Sequence, residues 1–150
     1  MLGKIKEIID LDLEDLKETM ELNVYANKEL LDILSTIQVT NIIAISSGAA
    51  VNGSKGWAPY SLSKASLNML INLYSKEMTQ TKLLCVAPGV IKTPMTDFIR
   101  YEVDDSRYTS AKILKEGVIQ SPKEAAQKLN EVIHRMSEFE SGQFIDVRNI

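Results

Sequence analysis

The 150 residues include one cysteine, one histidine and one tryptophan. A single cysteine, Cys85, excludes an internal disulfide and fits a reducing compartment. It lies within an apolar run, so it reads as a buried, inert thiol rather than a nucleophile. The lone His134 falls in a polar helical pattern with no ligand partners. It reads as a solvated helix position, the one histidine makes a Ser-His-Asp triad improbable, and no metal site is expected. No stretch approaches the roughly eighteen apolar residues of a membrane span, and Met1–Glu7 lacks the apolar core of a signal peptide. A cytoplasmic protein without a membrane partner is expected. Lys and Arg number 17 against 20 Asp and Glu, a net charge of −3, which gives no electrostatic case for nucleic acid. No internal repeat or low-complexity segment is visible.

What is present is an ordinary globular composition, 45% hydrophobic and 25% charged, enough for one domain over 1–150. The chain is organised around Ser46–Lys64. Tyr60 and Lys64 lie four apart in a helical pattern and share one face. Ser47 ends the apolar run Ile42-Ile43-Ala44-Ile45, which reads as a buried strand. A strand tip and a helix start can bring a hydroxyl, a phenol and an ammonium to one rim. A free phenol has a pKa of about 10, and bringing it near neutrality takes about 4 kcal/mol. A cation about 4 Å away contributes roughly that much at an effective dielectric of about 20. Lys64 could thus make Tyr60 a general acid or base, with Ser47 bonding a substrate carbonyl. Taken alone, Tyr60 and Lys64 also read as ordinary surface residues.

Residues 1–11 are weakly patterned and read as a connecting segment. Asp12 can cap a helix running to about residue 36, with Leu13, Leu16, Met20, Val24, Leu31 and Leu34 as its apolar stripe. Asn23, inside it, is either exposed or purposeful. A strand over 40–46 lacks polar alternation, as expected of a parallel strand buried on both faces. Loop 48–58 contains Trp57, either a pocket wall or a packing residue. Pro59 opens a helix to about Thr79 whose apolar residues cover more than one face, predicting broad burial. A second strand, Leu83–Ala87, ends at Pro88-Gly89. Residues 94–120 are polar, with short helices near Asp97–Tyr101 and Tyr108–Glu116. Ser121-Pro122-Lys123-Glu124 is a capping box, opening a helix to about Met136. A last strand, Phe144–Val147, follows Gly142. The alternation predicts an α/β fold with right-handed crossovers and a parallel sheet of about three strands.

Tyr-x-x-x-Lys after a strand ending Ser-Ser, with Pro88-Gly89-Val90-Ile91-Lys92-Thr93 after the next strand, resembles the short-chain dehydrogenase/reductase family. Within it, the likeness is to benzil reductase and sepiapterin reductase-like members. The resemblance implies a Rossmann-like, doubly wound fold and NAD(P)H-dependent reduction of a carbonyl. It implies Ser47, Tyr60, Lys64 and Asn23 as catalytic residues, with Ser46 as the alternative to Ser47 and Asn23 stabilising a kink and a water relay. Pro88, Gly89, Ile91 and Thr93 would pack on the nicotinamide, and Tyr60 and Lys64 would bond its ribose. Trp57, Met95 and Phe98 would line the substrate pocket under a lid over 94–120. NADP is the implied cofactor, with NAD possible. The implied partners are a small carbonyl substrate and a second copy, a dimer through the helices near 12–36 and 59–79. The plain alternative for Pro88-Gly89 is a strand-ending turn.

The seven glycines form no Gly-x-x-x-Gly-x-Gly or Gly-x-Gly-x-x-Gly array. The expected fold therefore lacks the family's N-terminal glycine-rich βαβ half, and its first strand is an exposed apolar edge. A second reading follows: a truncated or split member that associates without independent catalysis. A third, hydrolysis by Ser61-x-x-Lys64, lacks the companion motifs of that chemistry.

Overall fold

The computed structural model describes residues 1–150. Three parallel strands form one sheet in the order β1-β2-β3: β1 Asn41–Ile45, β2 Lys82–Ala87 and β3 Phe144–Asp146. The register pairs Ile43 with Leu84 and Val86 with Ile145. Parallel pairing requires crossovers, and helices supply both. Helix α3 (Ala58–Glu77) joins β1 to β2, and α4 (Pro94–Tyr101), α5 (Thr109–Glu116) and α6 (Pro122–His134) join β2 to β3.

β2 is buried from Leu83 to Ala87, and its side chains alternate between two cores. Leu84 and Val86 pack with Val132 and Met136, at and just beyond the end of α6, and with Ile145 and Val147. Leu83 and Cys85 pack with Leu31, Leu67 and Ile71 on the other face. Two-sided burial explains why the run shows no polar alternation. β1 is paired on one side only and stays half-exposed, the open edge expected of it. The thiol of Cys85 is fully buried, and burial pushes it up to about 12.

The long first helix is in fact three pieces: α1 (Leu13–Met20), a wide π turn (Glu21–Tyr25) and α2 (Ala26–Ser35). Its predicted stripe needs correction. Leu13 is exposed, and the buried face of α1 and the turn is Asp15, Thr19, Asn23 and Val24. Asp12 occupies the cap position without capping; its carboxylate pairs with Lys6 at 3.0 Å. Burial of α3 is also narrower than expected. Pro59, Ser63, Leu67, Ile71 and Ser75 form one stripe at every fourth position, while Leu62, Met69 and Leu73 stay exposed.

Residues 94–120 are more regular than their composition suggests. α4 starts at Pro94 because Thr93 caps it and proline fits the first helical turn. The base of this segment is closed by an Ile91–Gln120 bridge, with Lys92 N–H donating to Gln120 O at 3.0 Å. At Ser121–Glu124, both bonds of the capping box form.

Candidate active site

The carboxyl ends of the strands bring together residues from distant parts of the chain, where open parallel sheets bind their ligands. β1 ends at Ser46 and Ser47. Ser46 is buried and its hydroxyl donates to Asn68 Oδ1 at 2.6 Å, which makes it a bracing residue. Ser47 caps a short 3₁₀ turn (Gly48–Ala50), accepting from Ala49 N–H at 3.2 Å. Tyr60 rides the first turn of α3, half-buried. Burial pushes its phenol above the ordinary value, and the facing Ser47 hydroxyl pulls the other way without closing a full hydrogen bond to it.

Lys64 follows one turn later, with its ammonium 5.8 Å from the Tyr60 ring centroid. The expected pull of Lys64 on the phenol is absent. The ammonium donates to Ile45 O at 2.8 Å, which anchors it at the end of β1 rather than at the phenol oxygen. Burial lowers the Lys64 pKa, opposed by the weaker influence of Cys85.

Asn23 is buried, not exposed. Its Nδ2 donates to Ser63 Oγ at 2.9 Å, and Ser63 Oγ donates to Tyr60 O at 2.9 Å. Asn23 Nδ2 also reaches Met1 O at 2.8 Å, and Asn23 Oδ1 accepts from the Met1 amine at 2.7 Å. The π turn gives Asn23 this inward aim, and Asn27 Nδ2 bonds its carbonyl at 3.0 Å. Ser63 thus links Asn23 to the backbone of Tyr60. The sequence reading missed it, although it lies inside the Tyr-x-x-x-Lys interval.

Pro88 and Gly89 end β2 beside this cluster. Gly89 has φ +80°, and a Cβ there would meet Gln120 Nε2 at 2.9 Å, so both conformation and space call for glycine. Gln120 grips the segment from outside: its side-chain amide donates to Pro88 O and its backbone N–H to Val90 O. The Ile91 carbonyl accepts from Thr96 Oγ1 at 2.6 Å. Thr93 Oγ1 accepts from Thr96 N–H at 3.3 Å, so its hydroxyl is a helix cap.

The two readings of Trp57 resolve to packing. It is buried with Ile99, Tyr108 and Ala111, and its ring stands edge-on to Tyr60 at 6.3 Å. Met95 and Phe98 are partly exposed on α4. They line a groove of about 360 Å³ with Met1–Lys4 and the buried face of α1. The first eleven residues are therefore more than a connector: Leu2 and Ile5 pack on the Trp57 cluster, and Glu7 pairs with Lys55 at 3.0 Å and Arg107 at 2.9 Å. A larger groove of about 740 Å³ lies at the opposite, amino end of the sheet, beside Asp32, Ile37, Tyr74 and Met78.

The family described as short chain dehydrogenase matches residues 2–104, more than half of the chain. The chain belongs to the short-chain dehydrogenase family. Benzil reductase ((S)-benzoin forming) of Bacillus subtilis is 33% identical over 67% of this chain and 45% of its own length. Two solved structures share the fold. The short-chain dehydrogenase/reductase YIR035C of Saccharomyces cerevisiae superposes with a TM-score of 0.84 at 22% identity, over 98% of this chain and 62% of that one. The angucycline C-6 ketoreductase LanV with bound NADP gives 0.77 at 19%, over 97% and 57%. The chain spans less than two thirds of the length of the curated relatives it matches. No helix of the chain is long and apolar enough to cross a membrane.

Proposed function

We propose that this chain carries the proton-donating half of a carbonyl-reducing site, with Tyr60 as the acid. The observation that carries the reading is the meeting of Tyr60, Ser47 and Lys64 at the carboxyl end of the sheet, beside Gly89. The Ser47 hydroxyl would hold the substrate oxygen, and the Tyr60 O–H would give it a proton as the carbonyl becomes an alcohol. Lys64 would hold the end of β1, which carries Ser47, through Ile45 O, and Asn23 would fix the first turn of α3 through Ser63. The backbone of Pro88–Thr93 would carry the nicotinamide end of a cofactor, with the Gln120 amide packed behind Gly89. A bound NADPH, or NADH, supplies the hydride. Solved neighbours hold NADP in one case and NADH in another, so either form is proposed, and the names benzil reductase and ketoreductase favour a ketone or diketone.

The test is carbonyl-dependent oxidation of NADPH by the chain and its Tyr60→Phe variant. Turnover lost in the variant supports the reading, and turnover unchanged overturns it.

A second reading is favoured by the open edge of β1, where Ile45 is 48% exposed: association without catalysis. Micromolar or tighter NADPH binding by the isolated chain would speak against it. Exposed Leu30, Ile33, Met69 and Leu73 on α2 and α3 support a homodimer through those helices. Sedimentation that finds only monomer would remove that proposal.

A further inference from the structure

Trp57, the chain's single tryptophan, stands where segment 94–120 and the catalytic helix meet. Its carbonyl accepts the opening bond of α3, from Ser61 N–H at 2.8 Å. No side chain caps this helix end. The first turn, which carries Tyr60, therefore depends on tertiary contacts to keep its place. The indole supplies one of them, edge-on to the Tyr60 ring at an interplanar angle of 64°. On its other side the indole N–H donates to Ser110 Oγ on α5, inside segment 94–120. Gly56, just before it, packs so closely on Tyr108 that a Cβ would meet that ring at 2.6 Å. One side chain thus touches both the phenol ring and α5.

We propose that Trp57 is a positioning residue that couples the seating of α5 to the placement of Tyr60. Without the Ser110 hydroxyl, the indole N–H has no acceptor. A buried donor without a partner is costly, so the ring shifts or turns to water. Either way the Tyr60 ring loses a wall and its phenol gains solvent. The charged groups near the phenol are Lys64 on the same helix and the Met1 amine that interacts with Lys64. The end of β1 presents only the Ser47 hydroxyl. The link to turnover rests on Tyr60 being the acid, whereas the link between α5 and phenol is measured without substrate.

The Tyr60 phenol is titrated by difference absorbance, each protein against its own Tyr60→Phe counterpart. Burial holds the phenol up, so Ser110→Ala and Trp57→Phe should each lower its pKa, by about half a unit or more. The double variant should go no further than either single one, because both changes break the same contact. In Ser110→Ala the emission of Trp57 should shift to the red and its quenching by acrylamide should rise. A Tyr60 titration that stays put in Ser110→Ala, whatever the indole does, overturns the proposal. Shifts that add in the double variant do the same. Loss or retention of turnover in Tyr60→Phe bears on the reductase reading alone.

Discussion

Tyr60 and Tyr74 occupy opposite ends of one helix, and each has a lysine close by: Lys64 for Tyr60, and Lys28, through Asp32, for Tyr74. Burial raises both phenols, yet their neighbours act in opposite directions. Tyr74 donates to Asp32 Oδ1, and the carboxylate adds to burial in driving it up to about 12. Lys28 is taken by the other oxygen of Asp32, at 2.5 Å. Tyr60 faces a hydroxyl, which pulls its pKa down against burial. A phenol locked onto a carboxylate cannot readily give its proton away; one beside a serine can. The larger groove lies at the Tyr74 end, so cavity size is a poorer guide to the chemistry than the identity of a single neighbour.

The sharpest way to break this contrast is to remove each hydroxyl in turn. Tyr60→Phe should reduce carbonyl-dependent NADPH oxidation by about 10²–10⁴-fold, the usual worth of a positioned proton donor. Tyr74→Phe should leave the rate near that of the parent. Equal losses would erase the distinction. The next effect concerns the stripe that seats both tyrosines. Leu67 is 1% exposed, so Leu67→Ala should cost about 2–5 kcal/mol in urea unfolding. An almost neutral result would mean that another contact holds α3. Gly89→Ala should cost about 1–2 kcal/mol for its left-handed backbone, and the added methyl would press on the Gln120 amide. Its disturbance should reach the titration of Tyr60 and spare that of Tyr74. Smallest is a pH effect. The folded pKa of Tyr74, about 12, exceeds the roughly 10 of an unfolded chain. The neutral form is therefore favoured by folding. That stability is fully present below pH about 10 and is lost as pH rises through about 12. Urea unfolding at pH about 9 and about 11 should show a slope that Tyr74→Phe flattens.

Much of this architecture was legible because buried parallel strands announce themselves. Leu83–Ala87 is apolar throughout because it is buried on both faces; Ile42–Ile45 reads the same way but is only partly covered, since β1 is an edge strand with Ile45 exposed. The capping box at Ser121–Glu124 formed as read, since its residues lie within one helical turn. The first helix misled, because an apolar count cannot see a buried face made of Asp15, Thr19 and Asn23. Asp15 is held there by Lys4 at 2.6 Å and Lys6 at 3.5 Å, partners no periodicity reveals. The spacing of Tyr60 and Lys64 put both on one helix face. It could not say that the ammonium would turn to Ile45 O, because a long flexible side chain takes its end point from tertiary acceptors. The contacts that tie segment 94–120 down, Trp57 to Ser110 and Glu7 to Arg107, join residues far apart in the chain and leave no local pattern.

Cys85 has a practical consequence. Its sulfur sits at the centre of the sheet with no exposed surface and a pKa of about 12. Alkylating reagents should leave the folded protein unlabelled, because the thiolate they attack is neither formed nor reachable. A cysteine engineered into α5 could then carry a spin label or dye with no background from the native thiol. Any labelling of Cys85 would time the rupture of β2 from its neighbours.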